Sequence, residues 1–202
     1  MEYTYKTIQA SSTGIYKEKG SKFLSFAFPI NSVDQAKDII QQYKKEYFDA
    51  RHVCYAYILG SERDTFRAND DGEPSGTAGK PILGQLNSHQ LTDILLIVVR
   101  YFGGVLLGTS GLTTAYKEAA NDAIINAELI EKTVKANITI RFDYLMLNDI
   151  MNLSKQLNAS ILEQEFDNEC RVKMAINKAD EEIAKAKLQQ LSIHSTIHVH
   201  IG

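Results

Sequence analysis

Two cysteines, three prolines and no apolar run near the roughly 18 residues that span a bilayer set the first limits on this chain. Cys54 and Cys170 stand far apart and give no support to a disulfide, and so little cysteine fits a reducing compartment. The missing apolar run argues against a membrane helix. The N-terminus, Met1-Glu2-Tyr3-Thr4-Tyr5-Lys6, also lacks the apolar core of a secretion signal. Together these absences place the protein in the cytoplasm, with no membrane partner. An excess of basic charge is missing too. The net charge of −3 excludes a globally basic nucleic-acid binder and leaves room only for a local basic patch. A hydrophobic content of 44% with 23% charge is that of an ordinary globular protein, and 202 residues accommodate one large domain or two small ones.

What the chain does have is glycine in two places. Asp70-Asp71-Gly72-Glu73-Pro74-Ser75-Gly76-Thr77-Ala78-Gly79-Lys80-Pro81 is one loop; Arg100-Tyr101-Phe102-Gly103-Gly104, continuing to Gly108-Thr109-Ser110-Gly111, is the other. They hold most of the chain's twelve glycines and two of its prolines. Glycine serves where backbone takes positive φ or approaches a partner closely. Both loops run into helix-like sequence, so they read as surfaces built from backbone.

The elements around them follow from periodicity. Thr4 to Ala10 alternates as a strand, Ser11 to Gly14 reads as a turn, and Phe23 to Phe28 is a β-rich run ended by Pro29. Asn31 and Ser32 are N-caps for a helix whose apolar face is Val33, Ala36, Ile39, Ile40 and Tyr43. Arg51 to Leu59 is a strand with His52, Cys54 and Ala56 on one face and Val53, Tyr55 and Tyr57 on the other. A short strand over Thr65–Ala68 and a helix over Ala78–His89, with Pro81 in its first turn, flank the first loop. Ile94-Leu95-Leu96-Ile97-Val98-Val99 reads as a central strand buried on both faces. A long helix from about Ser110 to Leu129 follows. After it, strand Thr133–Phe142, helix Leu147–Leu157, a hairpin of Ser160–Phe166 and Cys170–Ile176 around Asp167-Asn168-Glu169, helix Ala179–Leu191 and strand Ser195–Ile201 give the order β-α-β-β-α-β, the ferredoxin-like pattern. The fold class is therefore α+β in two domains, residues 1–131 and 132–202.

The motif at 70–81 and the run Val99-Arg100-Tyr101-Phe102-Gly103-Gly104 with Leu107-Gly108 and Gly111-Leu112 closely resemble the YigZ/IMPACT family. Arg51-His52-Val53-Cys54-Tyr55-Ala56-Tyr57 and Lys19-Gly20-Ser21-Lys22-Phe23 are similar to it as well. The resemblance implies a first domain of the ribosomal protein S5 domain 2-like type and a second like the C-terminal domain of elongation factor G. It also implies a role in translation regulation, since eukaryotic IMPACT competes for an activator of the amino-acid-starvation kinase. Members often carry an arginine where this chain has Thr114, so that side chain is not available to an anion here.

The candidate anion-binding residues are Gly76, Thr77, Gly79 and Lys80 in the first loop, and Arg100, Gly103, Gly104, Gly108, Thr109, Ser110 and Gly111 in the second. A helix starting at Thr109-Ser110 would aim free N–H groups at a phosphate; alternatively the glycines only let the helix pack close to its sheet. No lysine follows Gly108-Thr109-Ser110 as a Walker A loop requires, and no cofactor is expected. Asp70, Asp71 and Glu73 could hold a magnesium ion or form Asx-type turns. Cys54 with His52 invites a thiol–imidazole pair, and His194, His198 and His200 invite a metal; apolar packing and a polar, solvent-facing strand are the favoured readings. The favoured function is a non-enzymatic regulator acting through RNA, a ribosome-associated partner or another protein. The alternatives are an enzyme on a phosphorylated or nucleotide substrate and a pure interaction adaptor.

Overall fold

The structure is a computed structural model that describes residues 3–167, 170–192 and 197–201. Contacts divide the chain into one unit from Tyr5 to Lys132 and another from Thr133 onward, the latter including Tyr3 and Thr4. The elements are strands β1 (Thr4–Ile8), β2 (Ser12–Glu18) and β3 (Ser21–Pro29), helix α1 (Val33–Glu46), strands β4 (His52–Leu59) and β5 (Thr65–Asn69), helix α2 (Gly79–Ser88), strand β6 (Ile94–Tyr101), helix α3 (Gly108–Ile125) and strand β7 (Leu129–Thr133). Then come β8 (Lys135–Phe142), α4 (Leu147–Gln156), β9 (Ser160–Phe166), β10 (Cys170–Asn177), α5 (Glu181–Ser192) and β11 (Ile197–Ile201). The protein is thus mixed α/β, with several sheets and five helices among the described residues. None of those helices is long and apolar enough to cross a membrane.

In the larger unit the sheet order is β2-β3-β6-β4-β5, and every neighbouring pair is antiparallel. β6 lies at the centre because its run Ile94–Val99 is apolar at every position, and all six residues are fully buried. The period of two then sorts the sheet into two cores. Leu96, Val98, Cys54, Ala56 and Phe23 pack against α2 and α3, including Ile82, Leu86, Tyr116 and Ala119. Leu95, Ile97, Val99, Tyr55 and Tyr57 pack on the other face against Ala36 and Ile40 of α1. α1 begins where its cap dictates: the Ser32 hydroxyl accepts from the Gln35 N–H at 3.2 Å, and the Gln35 side chain accepts from the Asn31 N–H at 2.9 Å. β1 and β7, which open and close this unit, pair as a two-stranded ribbon.

The smaller unit has sheet order β11-β8-β10-β9, and α4 and α5 supply Ile150, Leu153, Ala184 and Leu188 to a core with Ile138, Ile140, Val172 and Met174. Its element order is the β-α-β-β-α-β read from the sequence. The expected turn residues Asn168 and Glu169, as well as His194 and Ser195, lie outside the described residues.

Three expectations are corrected. Ser11–Gly14 is not simply a turn: Ser12 opens strand β2, whose polar alternation belongs to a half-buried edge strand. β7 was not anticipated. α3 begins at Gly108 and ends at Ile125, so Thr109 and Ser110 are inside its first turn. The glycine of β2 has a steric purpose. A Cβ on Gly14 would lie 2.4 Å from the Ala123 nitrogen and 2.8 Å from the Asp122 carbonyl carbon. Around it, the Ser12 hydroxyl donates to the Ala123 carbonyl at 2.7 Å and the Asp122 carboxylate accepts from the Ile15 N–H at 2.8 Å. β2 is thereby clamped to the last turns of α3, which fixes the axis of the helix whose other end forms the site. Gly14→Ala is expected to destabilise the protein by about 1–3 kcal/mol through overpacking against that backbone; urea unfolding measures it, and an unchanged midpoint contradicts the clamp.

Candidate functional site

The site begins with the parity of β6. Arg100 follows the apolar run and shares the face of Leu96 and Val98, so a guanidinium enters the α3-side core and is only 5% exposed. Sheet register places His52 of β4 on one side of it and Phe23 of β3 on the other. A buried cation needs a counter-charge, and the first loop provides one. Glu73, 8% exposed, sets Oε1 at 2.6 Å from the Arg100 guanidinium. The same oxygen accepts the Tyr116 hydroxyl of α3 at 2.8 Å and lies 3.8 Å from His52 Nε2. His52 Nδ1 is 2.7 Å from the Asp71 carbonyl oxygen. A carbonyl only accepts, so Nδ1 carries the proton and Nε2 faces the carboxylate.

Above this cluster opens a cleft of about 370 Å³, lined by residues that include Arg51, His52, Glu73, Arg100, Phe102, Leu106, Gly108 and Thr109. Phe102 is 39% exposed, and the guanidinium carbons of Arg51 and Arg100 each lie 5.6 Å from its ring centre. α3 starts beside it with no side-chain cap, so the N–H groups and positive dipole of its first turn face outward. The Nε of Arg100 is buried without a partner.

Among the sequence candidates, Arg100, Gly108 and Thr109 are brought together in this cleft, with Glu73. Ser110 and Gly111 line a neighbouring hollow with Tyr16, Glu18 and Lys19. Gly103 is a contact point: its N–H donates to the Ser21 hydroxyl at 3.1 Å, and a Cβ there would lie 1.9 Å from the Gly20 carbonyl carbon. Gly104 takes a left-handed φ of +89° in open space. The first loop departs from expectation. The N–H groups of Gly76, Ala78 and Gly79 converge on an anion, but it is the Asp70 carboxylate, at 2.8–3.0 Å. Thr77 donates its hydroxyl to the Pro74 carbonyl, and exposed Lys80 lies outside the cleft. Gly76, Thr77 and Gly79 are therefore committed to closing their own loop.

The three acids also part company. Asp70 accepts the N–H groups of Ala78 and Gly79 where α2 begins, Asp71 accepts from the Val53 N–H and pairs with Lys44, and Glu73 turns inward to Arg100. Among the described residues no three His, Cys, Asp or Glu side chains come together as a metal requires. Burial pushes the Cys54 thiol and the Tyr116 phenol well above their ordinary values. The thiol sulfur lies 3.0 Å from the Asp70 carbonyl oxygen, to which its proton can be donated, and 3.4 Å from the Tyr116 hydroxyl, so both groups are protonated and neither is an activated nucleophile. Sequence reasoning missed Arg51, Phe102 and Tyr116. Parity carries Arg100, and hence its neighbours, into view; the convergence of Tyr116 on Glu73 needs the third dimension.

Two expectations test this geometry. Glu73→Ala leaves the buried Arg100 charge unpaired and is expected to cost about 3–5 kcal/mol, with Glu73→Gln costing less, in chemical denaturation. Burial raises the Asp70 carboxyl, yet the amides of Gly76, Gly79 and Ala78 hold it below the usual carboxylate range overall. Its contribution to stability is thus complete above the unfolded pKa of about 4 and is lost as pH falls through the lower folded value. Asp70→Asn is expected to flatten that acid limb and to lower neutral-pH stability by about 1–2 kcal/mol; an unaltered pH profile of the unfolding midpoint contradicts it.

The comparisons with known proteins agree with this frame. The sequence model of the Impact N-terminal domain matches residues 19–124, which include β4, β6, both glycine motifs and nearly all of α3. The IMPACT family member YigZ of Escherichia coli is 34% identical over 185 residues, covering 91% of each chain. The Protein IMPACT homolog of Dictyostelium discoideum is 35% identical over 95 residues, 45% of this chain and 27% of that one. A solved crystal structure described as a hypothetical protein superposes with a TM-score of 0.78 at 31% identity, covering 98% of this chain and 97% of its own. The cleft is thus built from the very segment that carries the family match, and the chain belongs to the IMPACT family.

Proposed function

We propose that this chain is a non-catalytic regulator of translation that holds single-stranded RNA in the cleft of its larger unit. In this reading residues 1–131 form a ribosomal protein S5 domain 2-like domain and residues 132–202 a ferredoxin-like one, akin to a piece of elongation factor G. The observation that carries the proposal is the half-exposed Phe102 beside Arg51 and Arg100 at the uncapped start of α3. An aromatic face stacks any base, and adjacent cations with free backbone N–H groups take the phosphate beside it. The Arg100–Glu73 pair cancels internally, so Arg51 and the helix terminus supply the attraction. The translational setting is the one the family resemblance implies.

Titration with unstructured RNA across a salt series tests it. Affinity is expected to fall with salt, Phe102→Ala to weaken binding by about 1–3 kcal/mol, and Arg51→Ala to reduce the salt slope. Arg51 is the better probe than Arg100, whose removal strands Glu73. No binding at low salt overturns the proposal and leaves a protein-interaction adaptor presenting the exposed Val105 and Leu106. A second reading, an enzyme on a phosphorylated or nucleotide substrate, is favoured by one observation: His52 is held in a single tautomer with Nε2 toward Glu73 at the cleft floor. Turnover of a nucleotide that is lost in His52→Ala, with affinity retained, selects that reading.

A further inference from the structure

The sheet of the smaller unit packs its helices on one face; the other face carries Arg141, Arg171 and Lys173 with two histidines and the acids of β9. Register sets His198 beside Arg141, Arg141 beside Arg171, and Arg171 beside Glu165 across β11, β8, β10 and β9. Two residues along, about 6.7 Å of strand rise, His200, Thr139, Lys173 and Glu163 form a second row. Like charges directly opposite one another destabilise an antiparallel pair, and Arg141 faces Arg171 in that position. The acids of β9 offset only part of this. Glu163 and Glu165 approach Arg171 at 3.9 and 3.7 Å, and Glu163 lies 3.2 Å from Lys173. Arg141 is exposed and has no acidic partner within 4 Å among the described residues, while the Nε of Arg171 is buried without a partner. Between them lies a hollow of about 350 Å³ lined by Thr139, Arg141, Arg171, His198, Val199 and His200. His198 and His200 line this hollow, and no third metal-ligating side chain joins them among the described residues.

We infer that this face is a second nucleic-acid contact, taking consecutive phosphates of a single-stranded backbone. One phosphate sits between Arg141 and Arg171 with His198 alongside, and the next lies at Thr139, Lys173 and His200. Charge complementarity selects this occupant: a bridging anion relieves the Arg141–Arg171 repulsion, and two rows of donors one strand repeat apart suit a ligand whose charges repeat. The described rows carry no Phe or Tyr, so the contact reads backbone charge and not base identity. The inference shares its ligand class with the proposed function but stands on residues of the other unit.

The test is a titration of the isotope-labelled full chain with a short oligouridylate, following backbone amides and arginine Nε–H signals by NMR at low and at raised salt. Signals of Arg141, Arg171, His198 and His200 are expected to shift and to return as salt rises. Oligodeoxythymidylate is expected to shift the same signals. Arg141→Ala is expected to lower the slope of log affinity against log salt by about 0.7, which is about fivefold in affinity at 0.1 M salt relative to 1 M, and Arg141→Lys to retain that slope. If only the cleft signals around Arg51 and Phe102 move, this inference is overturned and the cleft proposal stands. If only the sheet signals move, the reverse holds. If neither set moves, both fail.

Discussion

One carboxylate organises the larger unit. Glu73 Oε1 receives the Arg100 guanidinium of the central strand and the Tyr116 hydroxyl of α3, and it faces the His52 imidazole. Strand, helix and glycine-rich loop therefore meet at a single oxygen. Burying an ion pair recovers little net stability because both partners lose their hydration. Its value here is geometric. Glu73 meets Arg100 in the core, and the hydrogen bonds of Asp70 and Asp71 hold the loop that carries Glu73 over β4. The pair fixes the floor of the cleft and is neutral as a unit.

The two glycine motifs look alike as sequence and act differently. The first has the N–H convergence of an anion cradle, and the protein fills it with its own Asp70 carboxylate. The second ends in a helix whose first turn no side chain caps. A backbone nest is an invitation to negative charge, and whether that charge is internal or external depends on what the chain brings within reach.

That dependence marks the limit of what the sequence discloses. The Ser32 cap, the apolar run of β6 and the two faces of β4 were legible because each is a local pattern whose period survives folding. β2 was not, since Ser-Thr-Gly-Ile-Tyr-Lys-Glu shows no apolar alternation, and Gly14 looks like a turn former when it is in fact the seat of a helix. In the site, Arg100, Gly108 and Thr109 were legible as candidates. Tyr116 looked like one more apolar-face residue, because its hydroxyl acquires meaning only when Glu73 arrives from 43 residues away. At Gly76 and Gly79 the turn-forming reading of Asp70 is the one the loop follows, since its carboxylate accepts their N–H groups.

Gly103 settles a matter of entropy. With its α-carbon pressed against the backbone of Gly20 and its N–H on Ser21, the segment that carries Phe102 is riveted to β3 before any ligand arrives. A surface already ordered spends no association free energy on ordering itself. Variants of the rim would then be felt in how long a bound molecule stays more than in how quickly it is captured. A loosened rivet would act on the ordering cost itself, so a substitution well away from any contact could weaken capture as strongly as the loss of the aromatic ring.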